Sequence, residues 1–161
     1  NEPKVFLLSN GAEEKKGSPV VKQAHQLLKE DSFVNFCGNI EARYVLTGVA
    51  DVVVCEGYPG NVLLKGTEGV ASMMNNLIKK AFKKNLLTMI GYLFAQSGFK
   101  DMKQTMDYKK YGGAILLGVN GIAVKGHGSS DEYSFYHAIR VAYEAINKEC
   151  VRHMKEAMVN E

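Results

Sequence analysis

The first segment able to do chemistry in this 161-residue chain bears glycine and lysine and precedes a helix start. Residues 11–17 read Gly-Ala-Glu-Glu-Lys-Lys-Gly, so Lys16 and Gly17 come directly before Ser18-Pro19, a pair typical of a capped helix. Backbone N–H groups and a lysine at a helix N-terminus can bind an anion such as phosphate. The alternative is a solvated loop without a ligand, and this segment alone leaves both open.

A second such segment follows an apolar stretch at residues 52–55 and reads Gly-Tyr-Pro-Gly-Asn-Val-Leu-Leu-Lys over residues 57–65. We predict a long helix that begins near Asn61. The Asn61 amide and Lys65 would then lie near outward-pointing backbone N–H groups beside Gly60. Such an arrangement can hold phosphate or stabilise an oxyanion. The alternative is a tight turn in which Asn61 only caps the helix.

The densest polar cluster is residues 125–131, which read Lys-Gly-His-Gly-Ser-Ser-Asp. Glycines on both sides of His127 allow close approach of a ligand, to which the imidazole can donate a proton or a hydrogen bond. We expect Lys125, Ser129 and Ser130 to take part in the same pocket, although the two hydroxyls can instead cap a helix. The chain has no G-x-S-x-G elbow, Walker A loop or G-x-G-x-x-G fingerprint, which argues against a hydrolase triad and a dinucleotide site.

Alternating strands and helices must position these three polar segments. Apolar runs predict buried strands at residues 5–8, 33–37 and 52–55, and a further pair of strands at 114–119 and 122–125 joined by a tight turn at 120–121. Helical spacing predicts helices over about 18–29, 40–46, from 61 onward, over 86–106, and from a capping box at 129–132 past Cys150. This order predicts an α/β domain with a mostly parallel sheet, whose ligands bind at the carboxyl ends of the strands.

One predicted surface is unusual because a basic segment, residues 79–84, adjoins an apolar one, residues 86–94. A basic face beside an apolar patch is typical of a segment that lies on a membrane. A helical hairpin buried in a dimer interface is the other interpretation, and the two are compatible. The residues that would form this patch are Lys83, Leu86, Leu87, Ile90, Leu93 and Phe94.

Composition places the chain among ordinary globular domains. It is 46% hydrophobic, which predicts a sizeable core. Its net charge of +3 suits an anionic partner without requiring nucleic acid.

Cys37, Cys55 and Cys150 lie among apolar neighbours without a C-x-x-C pair, so we expect buried reduced thiols and no metal site. The chain starts without Met and enters a strand within a few residues, and we therefore expect a fragment of a longer protein.

Five motifs, in order and with similar spacing, resemble the PlsX family, the bacterial phosphate acyltransferases. They are G-x-E-E-x-K-G at 11–17, F-x-G-N-[IV]-E-[AG]-R at 36–43, A-D-V-V-V-x-[DE]-G-[FY]-x-G-N-V-x-L-K at 50–65, Y-G-G-A-x-L-L-G at 111–118 and K-x-H-G-S-S-D at 125–131. The resemblance implies transfer of an acyl group from acyl carrier protein to inorganic phosphate. It further implies that Lys16 holds phosphate and that Asn61 donates to the oxyanion. Glu56 stands where the family commonly has Asp.

The resemblance also implies the C-terminal half of a longer enzyme. Its fold would be a three-layer, mostly parallel sheet similar to isocitrate and isopropylmalate dehydrogenases, with a projecting helical hairpin at residues 61–107. It implies a cytoplasmic homodimer in peripheral contact with a membrane, without metal, cofactor or nucleic acid. The alternatives are a phosphotransacetylase-like enzyme that uses a coenzyme A thioester, or a dimeric membrane-docking module that is inactive by itself.

Overall fold

The computed structural model describes residues 2–105, 112–128 and 130–159, and the chain divides into two compact units, Asn1–Lys84 and Asn85–Glu161. The first unit contains β1 (Val5–Ser9), α1 (Pro19–Glu30), β2 (Phe36–Glu41), a 3-10 turn (Ala42–Tyr44), β3 (Val52–Val54) and α2 (Gly57–Phe82). The second contains α3 (Leu86–Thr105), β4 (Ala114–Ile115), β5 (Val124–Lys125), α4 (Glu132–Asn147) and α5 (Cys150–Val159).

A three-stranded parallel sheet, ordered β2-β1-β3, forms the centre of the first unit. The apolar run at residues 5–8 becomes the middle strand because it can bury side chains between two neighbours, and Leu7 is 2% exposed. Val5 and Leu7 pair with Val52 and Val54 of β3. Parallel strands alternating with helices confirm the predicted α/β class.

Helix α1 covers β1 and β2. It begins as the sequence predicts: the Ser18 hydroxyl accepts a hydrogen bond from the N–H of Val21 at 3.2 Å, and Pro19 occupies the first turn. Its buried positions are Val21 and His25, one turn apart. The helix therefore turns one apolar and one polar residue toward the sheet.

Strand β2 differs from the prediction of residues 33–37 ended by Gly38-Asn39. The Asp31 carboxylate accepts a hydrogen bond from the N–H of Phe33 at 2.7 Å, which turns the chain after α1 and delays the strand until Phe36. The strand then runs through Gly38 and Asn39, which is buried. The short helix predicted at 40–46 is only the 3-10 turn.

Burial is lower than the composition predicts. Among the described residues only four apolar side chains are buried, namely Leu7, Val21, Ile40 and Ala145. The edge strand β3 is partly exposed, and the thiols expected to be buried are exposed at Cys37 and Cys55 and half-buried at Cys150. The predictions of a sizeable core and of buried cysteines are therefore wrong for the described residues, because an apolar run indicates what can be buried and not what covers it.

Strands β4 and β5 of the second unit pair antiparallel and are shorter than predicted. Beyond them one bond, from the N–H of Leu116 to the carbonyl of Ala123 at 2.8 Å, continues the pairing, so residues 116–123 form a longer connection instead of a tight turn at 120–121. Gly112 adopts φ +71°, and a Cβ there would lie 2.5 Å from the carbonyl oxygen of His137 on α4. Glycine at 112 therefore permits close packing on that helix.

The last predicted helix is two helices. Asp131 caps α4 by accepting from the N–H of Ser134 at 2.9 Å, close to the predicted start. The chain then breaks at Lys148 and at Glu149, which has φ +50°, before α5 begins at Cys150. Helix α3 is continuous through Gly91 and Gly98. Residues 106–111, which end the predicted helix and include Tyr111 of the fourth motif, lie outside the described residues.

Candidate functional site

The loop that carries Lys16 leaves the carboxyl end of β1 and returns to α1. The N–H of Lys16 donates to the carbonyl of Glu13 at 3.0 Å and closes a turn. The methylene stem of Lys16 lies against the buried Gly11, where a Cβ would come within 2.8 Å of Lys16 Cγ. Gly17 has φ +103°, and a Cβ there would lie 2.5 Å from Val21 Cγ1. Two glycines thus shape the loop around an exposed ammonium group.

A buried hydrogen-bond chain supports this loop from beneath. Asn39 Nδ2 donates to the carbonyl of Glu13 at 2.9 Å, and Asn39 Oδ1 lies 2.9 Å from Nδ1 of His25. Both side chains are buried. The sequence pattern did not predict this pair. The one local signal for His25 was its spacing of four residues from Val21 on the buried face of α1.

An ion pair lies on the outer side of the same loop. The carboxylate of Glu14 is 2.6 Å from the ammonium of Lys29, and both groups are exposed. This hydrogen bond and the charge of Lys29 lower the pKa of Glu14. Glu14 is therefore paired, whereas no described carboxylate forms an ion pair with Lys16.

Asn61 lies inside helix α2 and not at its cap, in contrast to the prediction. The helix begins at Gly57 because Pro59 fits the first turn and the N–H of Gly60 already donates to the carbonyl of Glu56 at 3.0 Å. Gly60 also allows close packing, since a Cβ there would lie 2.5 Å from the sulfur of Cys55. The exposed Asn61 amide is thus displayed from one turn beyond the helix start.

A direct contact joins the Lys16 loop to the start of α2. The Ser18 hydroxyl donates to a carboxylate oxygen of Glu56 at 2.8 Å. The two segments line one cleft of about 690 Å³ through Gly17 and Val62, the sequence neighbours of Lys16 and Asn61. Lys16 and Asn61 themselves are not among the described residues that line this cleft. The other lining residues are mostly apolar: Leu8, Ser9, Asn10, Ser18, Val21, Ala42, Glu56, Tyr58, Pro59 and Leu63.

Lys65, the third cation expected near the site, is paired. Its ammonium lies 2.9 Å from the carboxylate of Glu68, one turn further along α2. The two charges largely cancel at a distance. Lys65 therefore raises the local positive potential less than a free lysine would.

The cluster at residues 125–131 belongs to the second unit and is described there by itself. Lys125 ends β5, His127 is exposed, and the carbonyl of His127 accepts from the N–H of Ser130 at 3.0 Å. Ser129 lies outside the described residues. His127 and Ser130 are thus neighbours in one turn before α4, as the sequence predicted.

The predicted patch is exposed. Leu86, Leu87, Leu93 and Phe94 are between 67% and 86% exposed, and Ile90 and Lys83 are exposed as well. A reciprocal capping box fixes the start of α3, since the N–H of Thr88 donates to Asn85 Oδ1 at 2.9 Å and the N–H of Asn85 donates to Thr88 Oγ1 at 3.1 Å. Within residues 2–105, 112–128 and 130–159, no helix has both the length and the apolar character that spanning a membrane requires.

The cleft is lined by the amide of Asn10, by the hydroxyls of Ser9, Ser18 and Tyr58, and by one paired carboxylate, Glu56. In the described part of the chain no three His, Cys, Asp or Glu side chains come together as a metal site would require. These amide and hydroxyl donors suit a ligand held by hydrogen bonds, and the exposed Lys16 lies on the loop that contributes Gly17 and Ser18 to the cleft.

The fold and site define an α/β protein with a cleft at the carboxyl edge of a parallel sheet. The chain belongs to the family described as Fatty acid synthesis protein, whose match covers residues 1–153. It is 47% identical over 156 residues to a phosphate acyltransferase of Alkaliphilus oremlandii, covering 97% of this chain and 46% of that protein.

Two further relatives carry the same name. A phosphate acyltransferase of Halothermothrix orenii is 47% identical over 155 residues, covering 96% of this chain and 46% of the relative. A phosphate acyltransferase of Nostoc punctiforme is 43% identical over 160 residues, covering 99% of this chain and 47% of the relative. The resemblance stated from the five motifs is confirmed. The chain spans about half the length of the curated relatives it matches.

Proposed function

We propose that the protein containing this chain transfers the acyl group of an acyl-carrier-protein thioester to inorganic phosphate, for use in phospholipid synthesis. The observation that carries the proposal is the cleft shared by the Lys16 loop and the start of α2, joined by the bond between Ser18 and Glu56. The names of the relatives support acyl transfer to phosphate. The carrier-protein substrate rests on the resemblance of the motifs.

In this reaction a phosphate oxygen attacks the thioester carbonyl carbon. A carbon–oxygen bond forms, the carbonyl becomes an oxyanion, and the carbon–sulfur bond then breaks to release a thiolate that takes up a proton. Lys16 holds phosphate as a point charge. The amide of Asn61 donates to the oxyanion, where a donor stabilises the transition state more than the ground state.

Gly17 and Gly60 allow the backbone to pack closely at the site. Gly17 and Gly60 lie beside Lys16 and Asn61, and the contacts that a Cβ would make at each show that the backbone is already closely packed there. The apolar cleft walls at Leu8, Val62 and Leu63 suit an acyl chain and exclude water from the thioester.

We assign secondary roles to the remaining predicted residues. Lys125, His127, Ser129 and Ser130 act as further donors to phosphate, and Lys65 contributes a partly compensated charge. We further propose, from the motifs, that this chain is the C-terminal half of an enzyme whose three-layer, mostly parallel sheet is similar to that of isocitrate and isopropylmalate dehydrogenases. No metal or cofactor enters the proposed reaction.

The direct test is an assay of the full-length protein with an acyl-carrier thioester, with and without phosphate. We expect thioester consumption only when phosphate is present, with acyl phosphate as the product. A parallel reaction with the matching coenzyme A thioester distinguishes the phosphotransacetylase alternative. Faster reaction with coenzyme A than with the carrier protein would replace our proposal by that alternative.

A second role is favoured by the exposed patch at the start of α3. We propose that Lys83, Leu86, Leu87, Ile90, Leu93 and Phe94 mediate dimer packing and peripheral membrane contact of a cytoplasmic enzyme, as part of a hairpin spanning residues 61–107. Large exposed apolar groups that follow a basic segment in the sequence favour both contacts.

Flotation with vesicles that contain anionic lipid tests the membrane contact. The double variant Leu86→Glu and Phe94→Glu should abolish co-flotation, because it places two charges in the apolar part of the patch. The matched control is Leu27→Glu with Phe33→Glu, which charges two similarly exposed apolar residues of the first unit. Equal flotation of the patch variant and the wild type would exclude this surface.

A further inference from the structure

Two buried polar side chains beneath the candidate site have no assigned role. Asn39 on β2 and His25 on α1 are 6% and 3% exposed, and they lie within hydrogen-bond distance of each other at 2.9 Å. Burying an amide and an imidazole is unfavourable unless their polar atoms are satisfied. Their bonds lead to the loop that carries Lys16.

The chemistry of the partner atoms determines which atom donates and which accepts in each of these hydrogen bonds. A backbone carbonyl can only accept, so the atom of Asn39 that faces the carbonyl of Glu13 is the amide nitrogen. The amide oxygen of Asn39 therefore faces His25, and Nδ1 of His25 must carry the donated hydrogen. The edge of the His25 ring also meets the Phe36 ring, with centroids 5.0 Å apart, which holds the imidazole in this orientation.

The strand geometry brings Asn39 to this place. Val5 pairs with Phe36 but Leu7 pairs with Asn39, so three steps of β2 match two steps of β1. Gly38, with φ +99°, lies at this irregularity. Such a bulge changes the face to which the following side chain is directed.

The carbonyl of Glu13 receives two hydrogen bonds. One comes from Asn39 Nδ2, and the other comes from the N–H of Lys16 and closes the turn 13–16. We propose that Asn39 and His25 are positioning residues, which tie this turn to the sheet and so hold the Lys16 ammonium at the phosphate position. The inference rests on the proposed function for the role of Lys16.

The kinetic test uses the full-length protein and substitutions that change one bond each. Asn39→Asp removes the donor to Glu13 and keeps the acceptor for His25. We expect the KM for phosphate to rise and kcat/KM for phosphate to fall about 10- to 100-fold, as small misplacements of a catalytic group do. The KM for the thioester stays unchanged. Asn35→Asp is the matched control, since Asn35 is exposed on the same unit.

A second pair of variants does not bury a new charge. In His25→Asn the amide nitrogen takes the place of Nδ1 and keeps the bond to Asn39, whereas in His25→Gln it takes the place of Nε2 and loses that bond. We expect kcat/KM for phosphate to fall in His25→Gln and to be largely restored in His25→Asn. Equal losses in both would overturn the assignment of His25.

Combination with Lys16→Ala separates positioning from general damage. If Asn39 acts through Lys16, Asn39→Asp lowers kcat/KM for phosphate little further once Lys16 is absent. Multiplied losses would contradict the proposal.

Amide hydrogen exchange of residues 13–17 gives a readout that does not depend on activity. Exchange there should accelerate in Asn39→Asp and His25→Gln but not in His25→Asn or Asn35→Asp. Unchanged exchange in the first two variants would overturn the positioning role. A wild-type protein without phosphate-dependent thioester consumption would instead refute the proposed function and leave the exchange result standing.

Discussion

Gly17 gives a quantitative prediction because a second glycine with almost the same backbone serves as its control. Gly17 has φ +103° and Gly38 has φ +99°. A Cβ at Gly17 would lie 2.5 Å from Cγ1 and 2.8 Å from Cβ of the buried Val21, whereas a Cβ at Gly38 would meet nothing within 4 Å. The two alanine variants therefore share backbone strain and differ in steric overlap.

The expected magnitudes follow from these two terms. An unfavourable positive φ costs about 1–3 kcal/mol in either variant. Overlap with Val21 at the helix start adds about 1–3 kcal/mol in Gly17→Ala only, because Cβ and Cγ1 of the short Val21 side chain cannot move aside. Gly17→Ala should thus be less stable than Gly38→Ala by about 1–3 kcal/mol, which is a large share of the stability of a small domain.

Urea unfolding followed by circular dichroism measures this difference. At a slope of about 2 kcal/mol/M the midpoint of Gly17→Ala should lie about 0.5–1.5 M below that of Gly38→Ala. The slopes should agree, since neither variant changes the surface exposed on unfolding. Equal midpoints would refute the reasoning that contact with Val21 requires glycine at position 17.

Two further predictions concern packing and pH. Gly112→Ala should destabilise the second unit because the added methyl group overlaps the backbone of α4. Gly118 also has positive φ but has open space around it, so Gly118→Ala should cost only backbone strain. Thermal unfolding compares the two variants, and equal losses of stability would contradict the packing argument. The pair of Glu14 with Lys29 lowers the pKa of Glu14, so its stabilisation is present above the ordinary carboxyl pKa of about 4.3 and is lost as the pH falls through the lower pKa of the folded protein. The stability difference between wild type and Glu14→Gln should therefore shrink in acid and in high salt. Urea unfolding at several pH values measures this difference, and a constant difference would contradict the prediction.

Local signals predicted much of the first unit. The apolar run of β1, the glycine-bearing loop before α1 and the Ser18-Pro19 start of α1 depend on neighbouring residues, and the structure has them where the sequence placed them. The start of α2 was misplaced because Tyr58 and Pro59 resemble a turn, although proline is well tolerated in a first helical turn.

Long-range contacts account for what the sequence did not show. Asn39 appeared to end a strand, because nothing near it in sequence indicates that its amide reaches Glu13, 26 residues earlier. The bond between Ser18 and Glu56, 38 residues apart, is of the same kind. Burial was overestimated at Cys37 for a related reason, since the type of a residue does not indicate what packs against it.

The most direct test of the account compares two adjacent lysines. Lys15 and Lys16 are both exposed and carry the same charge, and the stem of Lys16 lies against Gly11. We predict that Lys16→Ala in the full-length protein lowers kcat/KM for phosphate on the order of 100-fold or more, as loss of one electrostatic donor does. Lys15→Ala should stay close to the wild-type value. Wild-type turnover in Lys16→Ala, or equal losses in both variants, would contradict the central claim that Lys16 holds the phosphate.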